Sequence, residues 1–287
     1  MAQIISNPFF VGPGVLFLES FSGALEGKEY EMLSLEYWEN MVREFFMPDS
    51  VFRFTLWKDS MKQEAKPFEI GTSILPRFFL VTTQSGVVSM RLSLQGAYET
   101  KYDGYHDILK IECHRASWTF QYSNGYIVNL RGAFTALIRI IPGMQEKSIW
   151  LPSKHPGFSM RIMSIAFDAE TQEKSLLLDD ILGHRKSDSP SLATEGDEER
   201  ALNDPRIIIP NASIPVEPVN AFGIPQATMR CLELAESVTQ MSDLIQFSQE
   251  HNLGPREALV RFAQRIREKD GVGRSPGSAM NHLPQNG

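Results

Sequence analysis

Cysteine is scarce in this 287-residue sequence: Cys113 and Cys231 are the only two, and they fall in segments that read as separate domains. Two thiols without metal-ligand spacing suit a reducing compartment rather than a disulfide framework, so secretion is not expected. Long apolar runs are missing as well. Stretches such as Phe78 to Thr82 are far shorter than a membrane span, and the opening MAQIISNPFF has no basic start followed by an uninterrupted apolar region. A soluble intracellular chain with no membrane partner is the expectation. Nor is there an excess of basic residues. Lys and Arg number 28 against 35 Asp and Glu, a formal net charge of −7, which offers little to neutralise a phosphate backbone and disfavours direct nucleic-acid binding. His106, His114 and His155 stand at no metal-ligand spacing and read as surface or hairpin positions, so neither metal nor cofactor is expected.

What the sequence does contain is enough apolar and aromatic material, 42% and 10% of residues, for a domain of ordinary size plus something smaller. Residues 1–27 are broken by Gly12-Pro13-Gly14 and Gly23 and read as an irregular arm. From Glu29 to Phe46, Leu35, Trp38, Val42 and Phe45 recur at three-and-four spacing, which predicts an amphipathic helix stopped by Met47-Pro48-Asp49. Val51 to Trp57 alternates as a half-buried strand, and Phe68 to Gly71 is a second strand. A short helix is expected over Ser73 to Gln84, with Ser73 as cap and Pro76 in its first turn. Val87 to Leu94 is a further strand. Ile108 to Tyr122 and Tyr126 to Ile140 flank Ser123-Asn124-Gly125, and Asn-Gly tolerates the positive φ of a tight turn, so this is a long hairpin. Its apolar parity changes between Cys113 and Trp118, as a bulge produces. Ser148 to Leu151 and Ser159 to Phe167 add strands. The fold class is therefore α+β: a curved antiparallel sheet wrapped on helices, over residues 28–182.

Residues 183–221 change character. Gly183 to Asp204 is acidic and poor in large apolar residues, so it cannot offset its ordering entropy and reads as a disordered linker. Ile207 to Pro218 carries three prolines and suits an extended strap. A helical module follows at 222–268. In a first helix from Pro225 to Glu250, Cys231, Leu234, Val238, Met241 and Ile245 are spaced three, four, three and four, with Leu232 and Leu244 widening the stripe. Asn252 to Gly254 breaks the pattern. Pro255 then opens a second helix with Leu259, Phe262, Ala263 and Ile266 on one face. A helical hairpin of fewer than about 50 residues has too small a core to stand alone, so it must pack on something else. Residues 269–287 read as a flexible Gly/Pro-rich tail that ends without a closing element.

Four blocks together resemble the LIM-domain-binding family, which includes nuclear LIM interactors, Chip, SEUSS and fungal regulators of adhesion and filamentous growth; the chain resembles a fungal member, and its fourth block is particularly similar to SEUSS. The blocks are LEYWENMVREFFMPDS (Leu35 to Ser50), FEIGTSILPRFF (Phe68 to Phe79), IECHRASWTFQYSNGYIVNLRGAF (Ile111 to Phe134) and ATMRCLELAESVTQMSDLIQFSQEHNLGPREALVRFAQR (Ala227 to Arg265). The resemblance implies a nuclear transcriptional cofactor. Its N-terminal dimerisation domain would be related to the nuclear-transport-factor-2-like cone, and its helical module would dock a LisH-containing partner, either a corepressor or a regulator of the single-stranded-DNA-binding-protein type. DNA-binding transcription factors would be reached only indirectly. Two departures limit the transfer: DAETQEKSLLL (Asp168 to Leu178) stands where the family often has an Arg-His-Glu-Leu-Ile-Pro-Arg-like run, and the animal LIM-interaction segment is not found, so LIM-protein binding is not carried over.

The expected docking residues are Cys231, Leu234, Val238, Met241, Leu244, Ile245, Leu259, Phe262 and Ile266. Their plain alternative is ordinary core. For the homodimer, the strand residues Val128, Leu130, Phe134, Leu137, Arg139 and Ile162 are the candidates, with the sheet face left open, because neighbouring residues on a strand point to opposite sides. Trp38, Phe45, Phe52, Phe54, Trp118 and Phe120 read as core. The rival reading is a small-molecule pocket, with isomerase-like or hydrolytic chemistry, inside the cone. It needs an acid or base such as Asp103 or His114 among apolar walls, and no paired constellation singles these out, so no catalytic residue is assigned. Ser189-Pro190 and Ser275-Pro276 lie in segments expected to be flexible and are as readily chance as phosphorylation sites. His184-Arg185-Lys186 is too short to serve as an import signal.

Overall fold

The computed structural model describes residues 12–58, 62–143, 158–187 and 207–272. The expected strand at 148–151, most of the acidic linker, His155, both Ser-Pro pairs and the tail beyond residue 272 lie outside them, while residues 269–272, expected to be flexible, continue the last helix. The chain divides into two compact units, Met1–Ala235 and Glu236–Gly287, and the division falls inside a helix rather than in the linker.

The first unit opens with α1 (Pro13–Leu25), where an irregular arm was expected. The Gly-Pro-Gly run does not break this helix; it starts it. Pro13 sits in the first turn, where a missing amide proton does no harm. Gly14 lets the helix end approach Glu99 closely enough for its carboxylate to accept from the Gly14 and Val15 amides at 2.8 and 3.3 Å. That cap comes from 85 residues away, so local spacing gave no sign of it. Phe17, Leu18, Phe21 and Leu25 are buried.

The expected single helix from Glu29 is two: α2 (Glu29–Met32) and α3 (Leu35–Phe45). Trp38 joins them, its indole donating to the Met32 carbonyl at 2.7 Å. α3 passes directly into β1 (Phe46–Trp57), and β2 (Ala65–Gly71), α4 (Leu75–Gln84) and β3 (Val87–Ser93) follow. Ser73 is not the cap of α4: Ile74 holds that position with no side-chain hydrogen bond, while Pro76 lies in the first turn as its chemistry requires. A short strand, β4 (Tyr98–Lys101), was not foreseen. β5 (Ile108–Tyr122) and β6 (Tyr126–Pro142) form the long hairpin, with Gly125 at φ +86° and a register shift between Cys113 and Ala116, where the parity changes. β7 (Phe158–Leu176) runs nine residues past the expected end at Phe167.

The sheet order is β2-β1-β7-β6-β5-β3, with β4 also on β5. The pair β1–β7 is parallel, so the sheet is mixed rather than purely antiparallel. Further register shifts on β6 and β7 curve it. Two tiny strands, β8 (Lys186–Ser187) and β9 (Ile207–Ile208), pair with each other, and a bridge joins Leu182 to Ser213.

Aromatic rings fill the concave side. Trp38 stacks on Phe79 at 5.0 Å, Phe54 on Phe167 at 5.8 Å and Trp118 on Phe120 at 5.5 Å, and Phe52 meets Trp118 edge-on at 5.7 Å. Each such pair contributes about 0.5–1.5 kcal/mol beyond its buried area. Among the described residues the buried polar side chains are Ser22, Ser50, Thr82, Thr83 and Thr228. Their hydroxyls are bonded to backbone or to one another, as in Thr83 to the Met32 carbonyl at 2.9 Å.

Tyr122 is a titratable group held in this interior, and burial pushes its phenol well above the ordinary tyrosine range. A folded pKa above the unfolded one gives stability that is complete below the unfolded value and is lost as pH rises past it. The chain is therefore expected to lose stability as pH climbs through about 10. Urea midpoints taken between about pH 8 and pH 11 should fall less steeply for Tyr122→Phe than for the wild-type chain; parallel declines would contradict this.

Candidate functional site

Leu182 and Ser213 form an isolated bridge, and beyond it residues 214–224 cross the end of the β6–β7 pair as an extended strap. Tyr126 Oη donates to the Pro215 carbonyl at 3.3 Å, Asn124 Nδ2 to that of Val216 at 3.0 Å and Gln172 Nε2 to that of Ala221 at 2.5 Å. Lys174 pairs with Glu217. Phe222 and Ile224 enter the hydrophobic core. Asn220 Oδ1 accepts from the Phe222 amide at 2.9 Å, and Gly223, at φ +78°, makes the turn into α5 (Gln226–Gln240).

α5 has two apolar faces. Met229, Leu232 and Ala235, three residues apart, are buried, and Thr228 bonds Thr82 of α4 at 3.2 Å. Leu232, expected to widen the outward stripe, is instead core. Leu234 faces solvent at 66% exposure and Val238 at 46%. Cys231 lies between the two faces, half-buried, and burial raises its thiol pKa against the opposing influence of Arg77.

The second unit holds the other helices. The expected continuous helix to Glu250 is interrupted at Met241, after which α6 (Ser242–Glu250) and α7 (Pro255–Val272) form a hairpin. Asn252 turns the chain at φ +50°, a conformation Asn tolerates better than most side chains. The hairpin's small core centres on Phe247, which meets Phe262 at 5.4 Å and His251 at 4.2 Å and carries Arg265 over its ring at 5.6 Å. Ala258 is buried beside it, while Leu244 and Phe262 are half-buried. Met241, Ile245, Leu259 and Ile266 are exposed at 42–57%, as is Val260, which sequence spacing had not singled out. Glu257 and Arg261 pair at 2.6 Å on the outer surface of α7.

The strand residues considered for a dimer divide by parity. Val128, Leu130, Phe134 and Ile162 are at most 2% exposed and belong to the concave core, so no second copy reaches them without opening the fold. That part of the expectation is corrected. Leu137 and Arg139 occupy the opposite, convex face and are half-buried there, with Arg139 held to Asp107 at 3.0 Å. Thr135, Ser164 and Ala166 share this convex parity. Asp103 and His114, the groups a pocket enzyme would need inside, are both exposed. Among the described residues no group of three or more His, Cys, Asp or Glu is placed to hold a metal ion, and no helix is long and apolar enough to cross a membrane.

The model of the LIM-domain binding protein family matches residues 16–260, from within α1 to within α7. The chain belongs to the LIM-domain binding protein family. It is 27% identical over 297 residues to Adhesion defective protein 1 of Schizosaccharomyces pombe, covering 96% of this chain and 72% of that protein. It is 26% identical over 282 residues to Transcriptional activator ptaB of Aspergillus fumigatus, with 96% and 35% covered, and 23% identical over 287 residues to Transcriptional corepressor SEUSS of Arabidopsis thaliana, with 88% and 30% covered. The chain thus spans about a third of the length of these last two. The match runs through both the sheet and the helical module.

The two faces of α5 should respond oppositely to charge. Leu234→Asp is expected to change unfolding free energy by no more than about 0.5 kcal/mol, whereas Leu232→Asp should lower it by roughly 3 kcal/mol or more. Urea titration of both variants checks this, and the reverse order would contradict the placement of α5.

Proposed function

We propose that this chain is a non-enzymatic, nuclear transcriptional cofactor scaffold. It forms a homodimer through the convex face of its sheet and uses α5 to α7 to dock a LisH-containing partner, bridging DNA-bound regulators without touching DNA itself. The observation that carries the reading is the set of large apolar side chains left in solvent within the family-matched residues, Leu234, Val238, Met241, Ile245 and Leu259, continued by Ile266 farther along α7. Apolar side chains grouped along amphipathic helices fit a helix-in-groove or bundle partner. Each Leu or Ile covered on binding contributes roughly 1.5–3 kcal/mol, so a few of them suffice for a stable complex. Two relatives named as a transcriptional activator and a transcriptional corepressor support the transcriptional setting and the nuclear location. The cone relationship of the sheet stays part of this proposal.

For the dimer, the favoured contact is the convex set of small and mixed side chains Thr135, Leu137, Ser164 and Ala166, flanked by Arg139. A sheet face of this kind pairs with its own copy about a two-fold axis. Dimerisation then multiplies what each docking module holds, because a second attachment becomes intramolecular at high effective concentration.

The test separates the two surfaces. Met241→Asp with Ile245→Asp should abolish capture by an immobilised LisH-containing corepressor fragment while leaving the mass in light scattering at that of a dimer. Leu137→Asp with Ala166→Arg should do the converse, halving the mass and sparing capture. Undiminished capture by the first pair, or a monomeric wild-type chain, would overturn the corresponding half.

A further inference from the structure

Helix α5 is not a free-standing docking element, and how it is held points to residues that serve recognition without belonging to the docking surface. Lys66 on β2 makes two contacts, one midway along the helix and one on the strap that precedes it: its ammonium lies 3.0 Å from Glu233 and 5.2 Å from the centre of the Phe222 ring. One cation thereby links an edge strand, the strap and the helix. Gly223 sits at the same junction. Its positive φ suits glycine alone, and a Cβ there would come within 2.7 Å of both Leu130 Cδ2 and Gln172 Oε1. Behind this junction Ile224, Met229 and Leu232 are buried in the sheet's own core, with Thr228 tied to Thr82.

We infer that Lys66, Phe222 and Gly223 are positioning residues for partner recognition: they fix α5, from the strap that enters it to Glu233 at its middle, to the N-terminal domain, so that Cys231 and Leu234 are presented on a preformed helix. The inference rests on the docking reading for what the helix is for, but the clamp itself is tested without any partner. A helix already ordered in the free protein spares the complex the entropy of ordering it. By linkage, whatever grips the outward face of α5 also stabilises the domain that owns its inward face. A single exposed ion pair contributes little by itself. The clamp depends on three unlike contacts spread from the strap to the middle of α5, of which Gly223 is the least replaceable.

The experiment is amide hydrogen exchange on the full chain carrying Gly223→Ala, comparing Arg230 to Leu234 of α5 with Val128 to Ile138 of β6. The clamp predicts that the α5 amides exchange roughly ten-fold faster or more, while those of β6 stay within about two-fold of wild type. Unchanged α5 exchange overturns the inference. So does equal acceleration in both segments, which makes Gly223 a requirement of the whole fold. A second variant avoids backbone strain: Lys66→Glu should accelerate α5 exchange in the same direction, and adding Glu233→Lys should restore part of the protection; failure of that rescue counts against the role of Lys66. Capture by the LisH-containing fragment should weaken in Gly223→Ala although every stripe residue is intact. If exchange responds and capture does not, the clamp stands and the docking reading is what fails.

Discussion

A helix with apolar residues on two sides must hide both, and one neighbouring domain covers only one of them. In α5 the inward side, Met229, Leu232 and Ala235, is sealed into the core beneath a curved sheet, while Leu234 and Val238 are left in water. Exposed apolar side chains scattered singly are ordinary on proteins, but these lie one turn apart on a helix whose opposite side is already occupied. The same demand recurs in the second unit, where one phenylalanine pair centres a core too small to shelter Met241, Ile245, Leu259 or Ile266. The functional reading follows from that imbalance between apolar surface and available cover.

The N-terminal domain satisfies the requirement from its own chain. Rings from α1, α3, α4 and five strands interlock on the concave side, and the serine and threonine hydroxyls buried with them are bonded. Asp103 and His114, the acid and base that a catalytic pocket would need among those rings, lie outside on the surface. The strap then carries the chain from the sheet to α5 through side-chain contacts to its backbone carbonyls. Attachment of α5 therefore depends on the sheet being folded.

Much of this was legible wherever the signal was local and periodic. Asn124-Gly125 marked the hairpin, the parity change after Cys113 marked its bulge, and alternation at Phe52, Phe54 and Leu56 marked a strand. Signals that depend on distant partners were not legible. Gly12-Pro13-Gly14 read as a break because the carboxylate that caps α1 arrives from Glu99. The parallel pairing of β1 with β7 leaves no trace in either strand's pattern. On α5 the spacing of Cys231, Leu234 and Val238 drew attention to the outward side, while the three-residue spacing of Met229, Leu232 and Ala235 was an equally readable second stripe. For the dimer candidates parity was visible but its sign was not: Val128, Leu130 and Phe134 share one face of β6, and only the packed sheet tells which face is the core.

The proposed docking requires that another molecule cover the apolar side chains left exposed on α5, α6 and α7. The direct measurement is peptide-resolved alkylation of Val238→Cys, with and without a LisH-containing corepressor fragment at saturating concentration. The free chain should react at the rate of an exposed thiol, and the complex should be protected by roughly ten-fold or more. Equal rates in the two samples, with complex formation verified by mass, would mean that the partner binds elsewhere and that the exposed stripe has another purpose.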